Sequence, residues 1–176
     1  MKTALKIAAG LTAISALSGL ASAAYAQNTA TATATASATI IQSISVTASS
    51  NLGFGAIVKP TTGTSTIAVS STGDNRTITG GNAVAANGAG VSSAAFLVQG
   101  EGGSAISVTV PATFNMTSGA NTLAVTTVST ATAGNLSGAL GSQGSFTVGV
   151  GGSFALQTTT ASGAYSGNLV VTAQYN

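Results

Sequence analysis

Residues 163–176 read GAYSGNLVVTAQYN, and their pattern is the strongest indication of the fold class. It opens on a glycine, alternates apolar with polar side chains, and carries a tyrosine second from the C-terminus. The apolar positions share odd numbering: Tyr165, Leu169, Val171, Ala173 and Tyr175. Because successive side chains of an extended chain point to opposite sides, this period of two predicts a strand with one buried face. We therefore expect a strand that starts near Gly163 and runs to the last residue.

The same alternation recurs along most of the chain after residue 27. It predicts strands around the apolar sets Leu52/Phe54/Ala56/Val58, Ile67/Val69, Phe96/Val98, Ile106/Val108/Val110, Phe114/Met116, Leu123/Val125, Phe146/Val148/Val150 and Phe154/Leu156, and over Thr77–Thr79. Residues 118–121 (SGAN) and the pair Gly151-Gly152 predict hairpin turns, since tight turns between strands need positive φ. Residues 80–95 and 129–145 are rich in small residues and predict loops. Short strands with one apolar face are typical of an antiparallel β-sandwich.

The chain begins with a segment typical of an export signal. Lys2 and Lys6 precede an apolar stretch that is shorter than the ~20 residues needed to span a bilayer. Ala24-Tyr25-Ala26 places small residues at the two positions that a signal peptidase reads. We predict that residues 1–26 are removed before Gln27, with 21–23 (ASA) as the alternative site. The protein would then be exported through the periplasm to the cell surface.

Removal of the signal would leave a nearly uncharged protein. The chain has four Lys or Arg and two Asp or Glu. Two of the bases lie in the signal, so Lys59 and Arg76 would balance Asp74 and Glu101. Two separated cations cannot form a basic patch for nucleic acid. So few charges limit solubility, and they suit a protein that ends in an assembly.

The composition also argues against catalysis and cofactor binding. Without His or Cys, no serine has an imidazole to accept its proton, and disulfides and thiolate metal sites are excluded. Asp74 and Glu101 lie 27 positions apart, with no reason to share a cleft. We expect Asp74 and Arg76 to form a local ion pair in a loop. Ligand sets for zinc or calcium are missing, and so is tryptophan as a stacking platform. We predict a protein that is no enzyme and uses no cofactor and no metal.

Residues 29–40 alternate without a break. Small or branched apolar side chains fill the even positions Ala30, Ala32, Ala34, Ala36, Ala38 and Ile40. The same parity resumes at Ile44, so a strand over residues 29–48 would measure about 65 Å, against the usual ~17–20 Å. We predict an N-terminal extension, residues 27–40, in front of a domain formed by residues 41–176. Such a strand can add to the sheet edge of another molecule. A low-complexity linker and pairing within its own sandwich are the alternatives.

With Gly163 and Tyr175 at these positions, the chain resembles the chaperone–usher pilins, whose alternating last strand carries an early glycine and a penultimate tyrosine. The runs 52–55 (LGFG), 109–111 (TVP) and 163–167 (GAYSG) are similar to spore-coat-U-like archaic pilins. They are also similar to a family of small secreted proteobacterial proteins catalogued as a domain of unknown function. The resemblance covers residues 29–176 and is closest to this last family.

The resemblance implies an immunoglobulin-like, pilin-like sandwich that lacks one strand. A periplasmic chaperone would lend a strand beside an assembly strand that contains Gly163, Tyr165, Leu169, Val171, Ala173 and Tyr175. At an outer-membrane usher, residues 29–40 of the next subunit would replace it. We therefore expect a structural subunit of a surface fibre, a pilus or fimbria, built from neighbouring copies or related subunits.

Two other functions stay open at this point. One is a monomeric secreted surface or adhesin domain. The other is an ice-binding protein, because the threonines at odd positions of residues 29–35 would form a flat ladder of hydroxyls. Ice binding predicts such repeats along the whole chain, and the ladder occurs once.

Overall fold

A computed structural model describes residues 29–86 and 90–176, and the predicted signal lies outside them. The described residues form fourteen strands and no helix. In chain order the strands are β1 Ser45–Ser50, β2 Gly53–Phe54, β3 Ile57–Val58, β4 Thr64–Val69, β5 Arg76–Thr79, β6 Val84–Ala85, β7 Val91–Ser92, β8 Ala94–Glu101, β9 Ala105–Thr109, β10 Thr113–Ser118, β11 Asn121–Ser129, β12 Ala133–Asn135, β13 Gln143–Gln157 and β14 Thr172–Tyr175. Every strand pair among them is antiparallel, which confirms the predicted all-β antiparallel fold. No helix of the described segments could cross a membrane.

Two sheets face each other across the main core. In the seven-stranded sheet the order is β1-β8-β13-β11-β10, and β4 joins β5 to β13; the smaller sheet has the order β12-β9-β14. Val98 and Val148 of the large sheet pack with Ile106 and Val108 of the small one, and all four are buried. A second cluster, around Phe154, fills the end of the large sheet where β13 meets β4. The alternating residues therefore build a sandwich, as their period of two predicts.

The 15-residue strand β13 runs the length of the domain. Gln143 pairs with Glu101 at one end, and Gln157 pairs with Thr64 at the other. At about 3.3 Å per residue its path is about 45 Å long. We call the Gln143 end the proximal pole and the Gln157 end the distal pole.

The predicted hairpin turn at Gly151-Gly152 is wrong. Both glycines lie inside β13, where they pair with β11 and the strand changes partners from β8 to β4. A side chain at Gly151 would collide with the carbonyl oxygen of Val69. Glycine therefore permits two backbones to approach closely here, which is a second reason for glycine in a strand.

The turn predicted at residues 118–121 is confirmed. Ser118 pairs with Asn121 at the end of the β10–β11 hairpin, and Gly119 has a φ of 57°. Here the glycine supplies the left-handed backbone that a tight turn requires.

The predicted strand over Leu52 to Val58 is broken in two. Gly55, with a φ of 68°, separates β2 from β3. Phe54 is 7% exposed, whereas Val58, which has the same parity, is 53% exposed. The kink at Gly55 therefore reverses which positions face the core.

The regions predicted as loops contain short strands. β6, β7 and the start of β8 fall within residues 80–95, and β12 and the start of β13 fall within residues 129–145. β6 pairs with β3, β7 with β2 and β12 with β9. Strands of two or three residues are too short to show alternation, and their pairing depends on distant partners.

The C-terminal strand is shorter than predicted, and the N-terminal alternation pairs only in part. Residues 29–43 belong to no strand, so pairing at this end begins at β1. At the other end only β14 pairs as a strand, with β9, and residues 167–171 belong to no strand. The edge strand β1 and the segment before β14 border the site described next.

Candidate functional site

An apolar groove runs along one side of the domain, and we call it the apolar groove throughout. One wall is residues 48–59, which contain the end of β1 and the short strands β2 and β3. The other wall is residues 160–169, which precede β14. A wide part of about 740 Å³ and a narrow part of about 340 Å³ adjoin, since both are lined by Leu52, Met116 and Tyr165.

Large apolar side chains form the floor of this groove. They come from β8, β10, β11 and β13: Phe96, Phe114, Met116, Leu123, Phe154 and Leu156. These residues belong to the two core clusters or pack against them. The groove therefore reaches down to the core, and a chain laid in it would cover apolar surface.

The edge strand β1 borders the groove on one side. It is the last strand of the large sheet and pairs with β8, and its residues Ala48 and Ser50 line the narrow part. On the other side, the C-terminal wall makes a single isolated bridge, from Ser166 to Thr117 of β10. Within the described part of the chain, β1 and this wall thus keep backbone groups that an added strand could pair.

Arg76 fixes the first wall at its kink. Its Nη1 donates to the carbonyl oxygens of Phe54 and Ala56, at 2.6 and 3.0 Å, on either side of Gly55. Arg76 makes these contacts in place of the ion pair that was expected with Asp74. Asp74 Oδ1 accepts instead from the amide of Ser93 at 3.0 Å. The kinked backbone of the wall is thus bonded to a charged side chain of β5, whose bonds to carbonyls are strong.

The second wall lies close against β10. Ser166 and Thr117 exchange two backbone hydrogen bonds of 2.8 and 3.0 Å. A side chain at Gly163 would press on Ser118, and one at Gly167 would collide with the main chain of Asn115. Gly163, predicted to open the last strand, and Gly167 therefore allow the wall to approach the sheet.

Burial along this segment follows the predicted alternation. Val171 is buried and Tyr165, Leu169, Ala173 and Tyr175 are half-buried, whereas the even positions 166–176 are all exposed. The six residues of the predicted assembly strand divide into two groups. Gly163, Tyr165 and Leu169 line the groove, while Val171 lies in the core and Ala173 and Tyr175 belong to β14.

The predicted donor residues are all at the surface. Ala30, Ala32, Ala34, Ala36, Ala38 and Ile40 are exposed, and none belongs to a strand. Ile40 is 93% exposed and Ile41 is 47% exposed. Side chains of this size and exposure are available to another molecule.

Sequence reasoning missed the roles of Arg76, which it placed in a loop ion pair, and of Glu101, for which it predicted no contact. Glu101 is 1% exposed, and its Oε2 accepts from the amide of Gln42 at 3.0 Å. The small number of charged residues was the available signal. Burying a charge costs free energy unless it is hydrogen-bonded, so each charge that the domain keeps could be expected to have specific partners. The described residues hold no group of three acidic, His or Cys side chains that could bind a metal ion.

The fold and the groove define an all-β sandwich with an apolar floor between the edge strand β1 and a C-terminal segment that makes one isolated bridge. The chain belongs to the DUF4402 family, a domain of unknown function, whose model matches residues 44–175. The match includes both walls of the groove and begins after the extension. No curated protein and no solved structure matches the chain.

Proposed function

We propose that the protein is a structural subunit of a bacterial surface fibre. Residues 29–40 of one copy would lie as a strand in the apolar groove of the next copy. The observation that carries the proposal is that one chain combines an exposed alternating segment with an apolar groove beside the edge strand β1. Strand addition at a sheet edge is a recurrent mode of peptide recognition.

The lengths of the two parts agree. Residues 29–40 would extend over about 40 Å as a strand. The wall formed by residues 48–59 has the same number of residues. Because the wall bends at Gly55, an extended strand of this length is at least as long as the wall.

The side chains of the two parts are complementary. The even positions of the donor carry five alanines and Ile40, while the floor carries phenylalanine, methionine and leucine. A floor of large residues lets a strand with small residues lie close to it. Each buried methyl contributes about 0.8 kcal/mol, so backbone pairing with the edge strand β1 would supply much of the affinity. The threonines at odd positions would face solvent.

The poles give the assembly a direction. Gln42, two residues after the extension, is bonded to Glu101 at the proximal pole. The wide part of the groove ends at Lys59, whose Nζ donates to the carbonyl oxygen of Thr158 at 3.3 Å near the distal pole. A donor that enters from the distal pole would place Ile40 in the wide part. Such head-to-tail contacts produce open filaments when the rotation between copies does not close a ring, and the fibre proposal requires this case.

An exposed apolar groove would need protection before assembly. We propose a periplasmic chaperone that covers the groove and an outer-membrane usher that releases it, which agrees with the predicted export signal. The fibre would then stand on the cell surface.

Deletion of residues 29–40 tests the proposal. The complete purified protein should form multimers that resist denaturant, and the deleted protein should stay monomeric and bind a peptide of residues 29–40. A peptide with Ala34→Asp is the matched control and should not bind. If both proteins are equally stable monomers and the peptide binds neither, the proposal is wrong.

A further inference from the structure

The main chain of Gln42 is held at both of its polar groups. Its amide donates to Glu101 Oε2 at 3.0 Å, and its carbonyl oxygen accepts from the Tyr175 hydroxyl at 2.8 Å. The same hydroxyl accepts from the amide of Glu101 at 2.7 Å. Two of these hydrogen bonds hold the main chain of Gln42, and the third connects Glu101 with Tyr175. We call the three together the Gln42 joint.

The surroundings of the joint make it costly to open. Glu101 is 1% exposed, and its other oxygen accepts from the amide of Gly141. A buried carboxylate must keep its hydrogen-bond donors, since a lost donor leaves charge without compensation. A side chain at Gly100 would collide with the Tyr175 hydroxyl, so this glycine leaves room for the joint.

The two side chains come from different sheets. Glu101 is the last residue of β8 in the large sheet, and Tyr175 is the last residue of β14 in the small sheet. The joint also directly precedes β1, whose first pair is Ser45 with Gln99. A pull on the N-terminal extension therefore reaches both sheets at Gln42 before it reaches the first pair of β1.

We infer that Glu101 and Tyr175 are positioning residues that anchor the root of the extension to both sheets. Without them, tension on the extension would peel β1 from β8 one pair at a time, beginning at Ser45. With them, the two hydrogen bonds that hold Gln42 must break before peeling starts. The inference rests on the proposed fibre only for the source of the tension, and the joint itself belongs to a single copy.

Hydrogen exchange of the purified monomer tests the joint. The monomer is obtained with Ala34→Asp, which should block assembly and leaves Gln42 in place. In this background Tyr175→Phe keeps the ring and removes the hydroxyl, so exchange of the amides of residues 42–46 should rise about three- to tenfold. Tyr165→Phe is the matched control, because its hydroxyl bonds to the carbonyl oxygen of Ala161 in the groove wall. It should leave these amides unchanged. Unchanged exchange in Tyr175→Phe, or an equal rise over the whole domain, would overturn the inference.

A pulling experiment tests the mechanical role. Since the chain has no cysteine, handles can be attached at Thr31→Cys and Ala120→Cys. Tyr175→Phe removes the donor to the Gln42 carbonyl oxygen and should lower the force at which residues 42–50 detach, ahead of the rest of the domain. An unchanged force would overturn the inference. Both measurements use a single copy, so they can succeed even where the fibre proposal fails, and the reverse also holds.

Discussion

The rings of Phe54 and Phe154 meet edge to face, with centroids 5.0 Å apart and planes at 83°. Phe54 belongs to the first wall of the apolar groove, and Phe154 belongs to β13 beneath it. An aromatic pair of this geometry contributes about 0.5–1.5 kcal/mol beyond its burial. The contact thus connects the groove wall with the strand that spans the domain.

We expect Phe154→Ala to lower the free energy of unfolding by about 3–5 kcal/mol, because it removes a buried ring and leaves a cavity. Urea denaturation followed by circular dichroism measures the change. Val128→Ala is the control, since Val128 is 59% exposed, and it should change stability by less than about 0.5 kcal/mol. Equal effects of the two substitutions would contradict the described packing.

Arg76→Gln should lower the free energy of unfolding by about 1–3 kcal/mol, because the carbonyl oxygens of Phe54 and Ala56 lose a charged donor. The protein should also bind the peptide of residues 29–40 more weakly, since the kinked wall is released. Lys59→Gln is the matched control, as Lys59 makes one exposed contact of 3.3 Å. Its effect on stability should be small.

The dependence of stability on salt distinguishes two possible contacts of Arg76, hydrogen bonds to carbonyl oxygens and an ion pair with Asp74. The partners of Arg76 are carbonyl oxygens, so its contribution to stability should change little as ionic strength rises. An ion pair with Asp74 would be screened. A stability difference between wild type and Arg76→Gln that disappears in high salt would contradict the hydrogen bonds described for Arg76.

Gly151→Ala should destabilise the protein by at least 1–3 kcal/mol, roughly the range for overpacked sites, because the new methyl group meets the carbonyl oxygen of Val69. Gly73→Ala is the control, since a side chain there would meet its neighbour at an ordinary 3.6 Å. Thermal unfolding of both variants measures the difference. If Gly151→Ala were tolerated as well as Gly73→Ala, the unbroken course of β13 would be wrong.

The sequence predicts the strands whose burial depends on their own alternation. The hairpin from Phe114 to Val125 is one example, and the one-sided burial of residues 165–175 is another. Glycine is the reason that other predictions are wrong. A glycine can supply a turn, as Gly119 does, a kink, as Gly55 does, or a close approach, as Gly151 does, and the residue type is the same in each case.

The groove could be predicted only in part. The alternating ends indicate which segments take part, and Gly163, Tyr165 and Leu169 do line one wall. The floor comes from strands that are distant in sequence and meet only in the folded sheet. The bonds of Arg76 and Glu101 to main-chain atoms depend on local backbone paths that residue types alone do not encode.

The two faces of the extension should respond differently to charge. Ala34→Asp places a carboxylate on the face proposed to be buried, where no partner compensates its desolvation, so multimers should be lost. Thr33→Asp places the same group on the opposite face and should still allow assembly. Size-exclusion chromatography with light scattering distinguishes the two variants. If Ala34→Asp and Thr33→Asp both assemble, or both fail to assemble, the even-numbered face of the extension is not the one that becomes buried.

Site-directed cross-linking between two variants tests whether the extension of one copy lies in the apolar groove of the next. One variant carries Ile40→Cys and the other Ala161→Cys, a residue in the wide part of the groove, and the native chain has no cysteine to interfere. Disulfides form only when the Cα atoms come within about 7 Å. We predict a disulfide-linked heterodimer under mild oxidation of the mixture, and none when Ala30→Cys replaces Ile40→Cys. Assembled multimers that yield no Ile40–Ala161 cross-link, or that cross-link equally well through position 30, would contradict the placement of the extension in the neighbouring groove.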